Sequence, residues 1–310
     1  MLSYVADGRY VHVSGGLLCP DEDKNELLRQ TVLWALKERR HLSFYNITPR
    51  NLPLFREAGF QITKWGDDFR LPLNQWTDRG KPFEWLRRQT NYALRQGLTF
   101  AECRREDFSS TDWNHLMAEL QQITDIALMH RPQVREIGFL NGTFDPRCLG
   151  RRRLFVARTK AGRIDGYLLC NPCRAGREWA LEQYRQRSDA VRGTIPFLMH
   201  QAVLRFQAEG VDEISLCCVP ALGTSDIQPG ESRRVRYGLA ASRYASFIFD
   251  ATGLQHFKTR FRPETEPRYL CVSPAATWGS LASFIRVCGA LNLSFLKLAR
   301  DLWRRTRRAA

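Results

Sequence analysis

A chain of 310 residues, 44% of them hydrophobic, is long enough for two ordinary domains with cores of their own and is no solvated tail. Lys and Arg number 47 against 32 Asp and Glu, and the formal charge of +15 points to polyanionic partners, without specifying fold or chemistry. Nine cysteines at irregular positions, among them a lone Cys170-x-x-Cys173 and the adjacent Cys217-Cys218, lack the second C-x-x-C of a zinc site, so reduced, mostly buried thiols are expected.

Met1 to Gly16 mixes Asp7, Arg9 and His12 with single apolar residues, so it carries neither a signal-peptide core nor a spanning helix, and the expectation is a cytoplasmic protein. Tyr4-Val5-Ala6 and Tyr10-Val11-His12-Val13 around an Asp7-Gly8 turn predict a hairpin. Asp21 or Asp23 can cap the helix that follows, whose apolar positions Leu27, Leu28, Val32, Leu33 and Leu36 recur at helical spacing. A strand over His41 to Tyr45 comes next, then a short helix from Leu52 to Ala58 that Gly59 ends. Lys81 to Gln96 predicts a basic helix, setting Phe83, Leu86, Tyr92 and Leu94 against Arg87, Arg88 and Arg95, with Gly97 as its C-cap.

The next strand is expected over Leu98 to Cys103 and the next helix from about Thr111 to Ala127. Leu154 to Arg158 and Gly166 to Cys170, flanking an Ala161-Gly162 turn, predict an antiparallel meander. Ile195 to Ala208 predicts a helix and Glu213 to Cys218 a strand; a loop near Gly223 to Ser232, a final helix and a strand ending at Val272 complete the pattern. Hairpin, helix, strand and helix are the pattern of half an acetyltransferase-like domain, and the alternation returns. The expected fold class is therefore α/β (α+β), two tandem acetyltransferase-like (GNAT-like) units over 1–97 and 98–273, followed by a basic tail over 274–310. From Trp278 to Arg308 that tail sets Leu281, Phe284, Ile285, Leu291 and Phe295 before Arg304, Arg305, Arg307 and Arg308, which predicts an interfacial helix, with packing against the protein as the alternative.

Four ordered segments carry a family resemblance. The first is Lys64-Trp65-Gly66-Asp67-Asp68-Phe69-Arg70 with Gly80-Lys81 and Leu86-Arg87-Arg88-Gln89-Thr90-Asn91; the second runs from Arg135 through Gly138-Phe139-Leu140-Asn141-Gly142 to Asp145. The third, Tyr184 to Thr194, holds Arg185, Arg187, Asp189, Arg192 and Gly193; the fourth, Gly253-Leu254-Gln255-His256-Phe257-Lys258-Thr259-Arg260-Phe261 to Glu266-Pro267-Arg268-Tyr269-Leu270, is the most specific. Together, from about Asp7 to Val272, they resemble the aminoacyltransferase domain of the multiple peptide resistance factor family, the lysyl- and alanyl-phosphatidylglycerol synthases. Thr194-Ile195-Pro196, Arg260 and Thr265 depart from the family's usual residues, and the flippase region that precedes the domain in many relatives is not in this chain.

The resemblance implies a tandem acetyltransferase-like fold with its active site in a tunnel of the second unit, no metal and no redox cofactor, aminoacyl-tRNA as co-substrate and an anionic membrane lipid, by default phosphatidylglycerol, as acceptor. It places the protein at the inner face of the cell membrane as a peripheral protein. An aminoacyl-tRNA ester is already activated, so transfer needs positioning, a proton route and stabilisation of an oxyanion rather than a covalent nucleophile. Lys258 and Arg260 are the candidates for contact with the lipid phosphate or the tRNA 3′ end, and Asp189 for the cationic α-amino group; these three form the expected catalytic set. Arg185, Arg187, Arg192 and Gly193 ahead of a helix, with Asp145, Glu266, Arg268 and Tyr269, are expected to bind substrate, the alternatives being a solvated salt-bridged loop and an edge strand with outward charges. Arg87, Arg88 and Arg95 are expected to hold tRNA phosphates, and His130 is a candidate proton acceptor or a surface histidine. The rival functions are an acyl-CoA-dependent N-acyltransferase and a non-catalytic module that binds RNA or membrane.

Overall fold

The computed structural model describes residues 1–129, 136, 138–140, 142–224, 228–244 and 250–290. The N-terminal part supplies β1 (Ser3–Asp7), β2 (Tyr10–Ser14), α1 (Lys24–Lys37), β3 (His41–Ile47), α2 (Leu52–Glu57), β4 (Gln61–Pro72) and α3 (Glu84–Arg95). After it come β5 (Thr99–Cys103), α4 (Ser110–Met129), β6 (Arg153–Arg158), β7 (Ile164–Cys173), β8 (Glu178–Gln186), α5 (Thr194–Ala208), β9 (Glu213–Pro220), α6 (Arg233–Tyr244), α7 (Ala251–Thr259), β10 (Glu264–Ser273) and α8 (Trp278–Val287).

All ten strands join one sheet in the order β1-β2-β3-β10-β4-β9-β8-β7-β6-β5. The two ends repeat one device: an antiparallel run, β1–β2 or β5 to β8, followed by a parallel pair, β2 with β3 or β8 with β9. Between these ends the strands are exchanged. β4, from the N-terminal part, pairs with β9, and β10, from the C-terminal part, pairs with β3, while β4 and β10 pair with each other. The middle of the sheet is therefore a shared ladder, so neither half can close its sheet alone.

Burial follows from this layering. Phe197, Leu198, Ala202 and Phe206 of α5 cover Phe155, Leu168 and Leu181 of the sheet, and Leu28 and Ala35 of α1 pack with Val11, Phe44 and Phe55 at the other end. Four features differ from the sequence expectations. Leu33 and Leu36 of α1 face solvent with Trp34, because the buried stripe is Leu28, Thr31 and Ala35. No Asp side chain caps α1; a 3-10 turn over Asp21–Asp23 leads into it, and Asp21 pairs with Lys24 and Arg50 instead. Two helices, α6 and α7, stand where one was expected. The segment for which an edge strand with outward charges was the alternative ends in β10, a central strand in which Arg268 is only 6% exposed.

All nine cysteines are free, as the irregular spacing predicted, but only four are buried rather than most of them. Phe284 of α8 stacks on Tyr45 at 4.5 Å, so the first part of the C-terminal tail packs on the protein; residues 291–310 lie outside the described residues. Among the described residues no helix is long and apolar enough to cross a membrane.

Beneath α8, His12 is fully buried between the hydroxyl groups of Tyr45 at 3.1 Å and Ser283 at 2.9 Å. Burial holds its pKa down at about 4, against the pull of Asp7. The folded value lies below the unfolded one, so the unfolded chain binds the proton more readily, and stability is lost as pH falls from about 6.5 towards 4. Thermal melts of His12→Asn between pH 4 and 7 should therefore fall less steeply with acid than those of the parent protein.

Candidate functional site

Along β8 and β9 the parallel ladder is short: Glu178, Trp179 and Ala180 face Glu213, Ile214 and Ser215, and no pairing continues beyond them. A bulge in β9 starts the split. Cys217 takes φ 71°, and the β4 register shifts between Asp68 and Arg70 opposite it. Where the ladder stops, the Cys217 thiol lies 3.6 Å from the Leu181 carbonyl. A cleft between splayed parallel strands exposes backbone groups that a regular sheet would consume, and such groups can receive a ligand.

Lys258 enters this split from α7. It is 2% exposed, its Nζ donates to the Cys217 carbonyl at 2.8 Å, and it lies 6.0 Å from the centre of the Phe69 ring. Among the described residues no carboxylate lies within ion-pair distance of it, and burial lowers its pKa. A buried ammonium with one donor committed to a carbonyl keeps further donors for a ligand.

The bulge is held from behind by a buried polar chain. Arg268 on β10 meets Asp68 on β4 at 2.6 Å; Asp68 accepts from Ser215 Oγ at 2.7 Å, and Ser215 Oγ accepts from the Cys217 amide at 2.9 Å. Arg70 adds Glu178 at 2.7 Å and also pairs with Glu213, while Glu266 meets Arg268 at 2.9 Å. These groups come from β4, β8, β9 and β10, so the ladder at the centre of the sheet assembles the support of the site.

Glu182 on β8 supplies a carboxylate beside the split. It accepts from Asn171 of β7, and both Glu182 and Lys258 act electrostatically on the Cys217 thiol, which burial pushes up to about 12. Gly142 lets a second segment approach: a Cβ at that position would overlap the Glu182 carboxylate and lie 3.1 Å from the Arg152 guanidinium. Glu136, from the same segment, accepts from the Phe144 amide at 2.8 Å, Gln183 at 2.6 Å and Arg185 at 3.0 Å, tying the segment to β8. Phe139 between them packs on Tyr45 at 5.7 Å, at the far end of the sheet. Gly142→Val is expected to displace the Glu182 carboxylate and lower turnover at least tenfold, with little change in thermal stability because the segment is partly exposed, as initial rates and melts would show.

Residues 1–272 of this chain match the family described as phosphatidylglycerol lysyltransferase, C-terminal. The chain belongs to this family. Within it, a phosphatidylglycerol lysyltransferase of Bacillus subtilis is 26% identical over 73% of this chain and 26% of its own length. The Staphylococcus aureus enzyme of the same name is 22% identical over 89% of this chain and 32% of its own. The chain thus spans about a quarter to a third of the curated relatives it matches. Among solved structures, the C-terminal domain of a protein named for lysylphosphatidylglycerol synthesis from Agrobacterium fabrum superposes with a TM-score of 0.76 at 25% identity, covering 94% of this chain and 87% of that one. L-PGS from Bacillus licheniformis shares the fold with a TM-score of 0.77 at 20% identity, over 93% and 85% of the two chains.

The residues singled out by the sequence resemblance fall into two groups in space. Lys258, Glu266 and Arg268 stand in or behind the split, and Tyr269 beside Arg268 packs towards the first core. Arg260, just past the end of α7, is half-buried, lying over Trp85 at 5.4 Å and against His256 at 2.9 Å. Asp189 is exposed and joined to Arg163 at 2.7 Å, which together with Arg187 holds its carboxyl below the usual range. Arg187 binds the Ile164 carbonyl at 2.9 Å and Glu119 at 3.4 Å, Arg192 is exposed, and Gly193 takes φ 87° at the start of α5. Asp145 pairs with Arg147 at 3.0 Å. Arg87 is spent on the carbonyls of Asp78 and Gly80, whereas Arg88 and Arg95 are exposed on α3 without partners among the described residues. His130, Arg135 and Asn141 lie outside the described residues.

Sequence reasoning did not single out Asp68, Glu136, Asn171, Glu182, Ser215 or the Cys217 carbonyl. Asp68 and Glu136 stood inside the quoted motifs, which was the one available signal; the others carry none.

Proposed function

We propose that the protein transfers an aminoacyl group from charged tRNA to a hydroxyl of phosphatidylglycerol at a membrane surface. The observation that carries this reading is Lys258, a buried cation aimed at the point where β8 and β9 separate, with Glu182 nearby. In the reaction, the lipid hydroxyl oxygen attacks the ester carbonyl, the tRNA 3′ oxygen leaves, and the proton of the lipid hydroxyl ends on that leaving oxygen. Lys258 supplies an N–H donor to the oxyanion formed between these events, and the low dielectric around it makes that donor strong. Glu182 receives the cationic α-amino group, a role for which Asp189, exposed and paired with Arg163, is less suited.

Family membership supports the lipid acceptor, and the relatives' names favour lysine over alanine as the transferred residue. Arg88 and Arg95 add positive field for the tRNA, while the outward face of α1, with Leu33, Trp34 and Leu36 beside Lys37 and Arg39, suits a peripheral contact with the headgroup layer. Esterifying an anionic lipid with a cationic residue would reduce the attraction of cationic peptides to the membrane. The rival acyl-CoA chemistry is separated by ligand protection: charged tRNA should raise the thermal unfolding temperature and coenzyme A should not. Protection by coenzyme A alone would overturn the reading.

A further inference from the structure

At the free edge of the sheet, β5 and β6 and the loop from Pro146 to Arg152 enclose a groove of about 710 Å³. Six arginines line it, Arg104, Arg105, Arg147, Arg151, Arg152 and Arg153, against three glutamates. Three of the six are already neutralised: Arg153 by Glu102 at 2.7 Å and by Glu209, Arg104 by Glu102 at 3.3 Å, and Arg147 by Asp145 at 3.0 Å. The others keep their charge. Among the described residues Arg105 donates only to the Phe108 carbonyl at 2.9 Å and Ser110 Oγ at 3.0 Å, Arg152 only to the Thr143 carbonyl at 3.2 Å, and Arg151 is exposed without a partner.

A guanidinium cannot shed its charge, and its fork of donors matches the oxygens of a phosphate. The shape decides between the two phosphate-bearing surfaces. The groove is concave, and its large apolar lining residues Trp113, Leu149 and Leu154 are each under 10% exposed, so half-buried Pro146 is all the apolar surface it offers a flat bilayer. A nucleic-acid backbone needs only charge and a channel to follow. The groove also touches the site: Arg152, which lines it, and the Glu182 carboxylate both stand close to Gly142, since a Cβ at 142 would meet both groups.

We propose that this groove seats the phosphate backbone of the donor RNA and leads its aminoacylated end to the Glu182 side of the split. The proposal rests on the aminoacyl-tRNA reading above. The test is a titration of labelled, uncharged tRNA against the whole protein at several salt concentrations, followed by fluorescence anisotropy, with Arg151→Glu and Arg151→Gln/Arg152→Gln in parallel and vesicles of phosphatidylglycerol as a second ligand. Arg151 is exposed and has no partner among the described residues, so Arg151→Glu should fold normally, as a thermal melt would verify. The expected result is about a tenfold loss of tRNA affinity in each variant, a log-affinity against log-salt slope shallower by about one per arginine removed, and unchanged vesicle binding. Unchanged tRNA affinity and slope in both variants, or loss of vesicle binding with tRNA binding retained, would overturn the proposal. Because uncharged tRNA needs no transfer, groove-dependent binding without any aminoacylated lipid would sink the transfer reading and leave the groove standing. Lipid aminoacylation by the parent protein with normal tRNA binding by both variants would do the reverse.

Discussion

Lys258→Met is expected to lower the transfer rate by about a hundred- to a thousandfold while the protein remains folded. The magnitude is that of removing one preorganised donor from a developing oxyanion. The fold should survive because methionine fills a similar volume and removes a buried ammonium that no carboxylate among the described residues pairs with, so stability stays level or rises. Lys258→Arg should recover little, since a planar guanidinium cannot reproduce the 2.8 Å contact with the Cys217 carbonyl in the same space. The pH profile supplies a second reading. Burial places the Lys258 pKa below that of an ordinary lysine, so the ammonium is lost, and the rate declines, at a lower pH than an exposed lysine would cause. Single-turnover rates over a pH series measure both effects; more than a tenth of the parent rate in Lys258→Met would remove the lysine from the mechanism.

Arg268→Met should cause the largest loss of stability of any single replacement at the site. Arg268 and Asp68 are 7% and 5% exposed at their side chains and lie 2.6 Å apart, and removing the guanidinium leaves the buried carboxylate with Arg70, at 3.4 Å, as its one remaining cation among the described residues. Breaking such a pair costs about 3–5 kcal/mol, equivalent to a drop of about 10 °C in unfolding temperature for a chain of this size. Replacing both partners with apolar residues, Asp68→Leu/Arg268→Met, should restore much of the loss, because a buried ion pair is dear to break and cheap to delete together. The double variant should still be slow, since Ser215 Oγ, which accepts from the Cys217 amide at the bulge, would lose its own acceptor at Asp68. By contrast Arg29→Ala, which breaks the exposed pair with Glu26, should leave the melt unmoved.

Local chemistry made much of the fold legible. The Asp7-Gly8 turn, the helix closed by Gly97 and the short apolar runs of β6 and β7 each state their element within a few residues, and the order of these elements was enough for the α/β class. β4 was not legible as a strand. Lys64, Asp67, Asp68 and Arg70 read as loop chemistry, and what lets them sit in the centre of a sheet are partners far along the chain, Glu178 for Arg70 and Arg268 for Asp68. β10 hid its central place for the same reason, its charges matching those of a solvated edge until the other half of each pair is seen. The exchange of β4 and β10 between the two ends leaves no local trace at all.

The site divides in the same way. Lys258 could be found because its motif is specific, and its burial follows from α7 packing over the split. The Cys217 carbonyl could not, because a backbone group in a left-handed bulge has no side-chain signature, and Glu182 is one glutamate in a strand whose neighbours drew attention through their arginines. Asp189 attracted a role through Arg185, Arg187 and Arg192 beside it, yet the cation that engages it is Arg163, from the turn before β7.

The central claim is chemical, and one measurement addresses it directly. The protein is incubated with vesicles of phosphatidylglycerol and a pool of charged tRNA, and the extracted lipids are analysed by mass. The account predicts an aminoacylated phosphatidylglycerol that forms only with charged tRNA and is nearly abolished by Lys258→Met; lipid left unmodified, or acylated only when acyl-CoA is supplied, would contradict it.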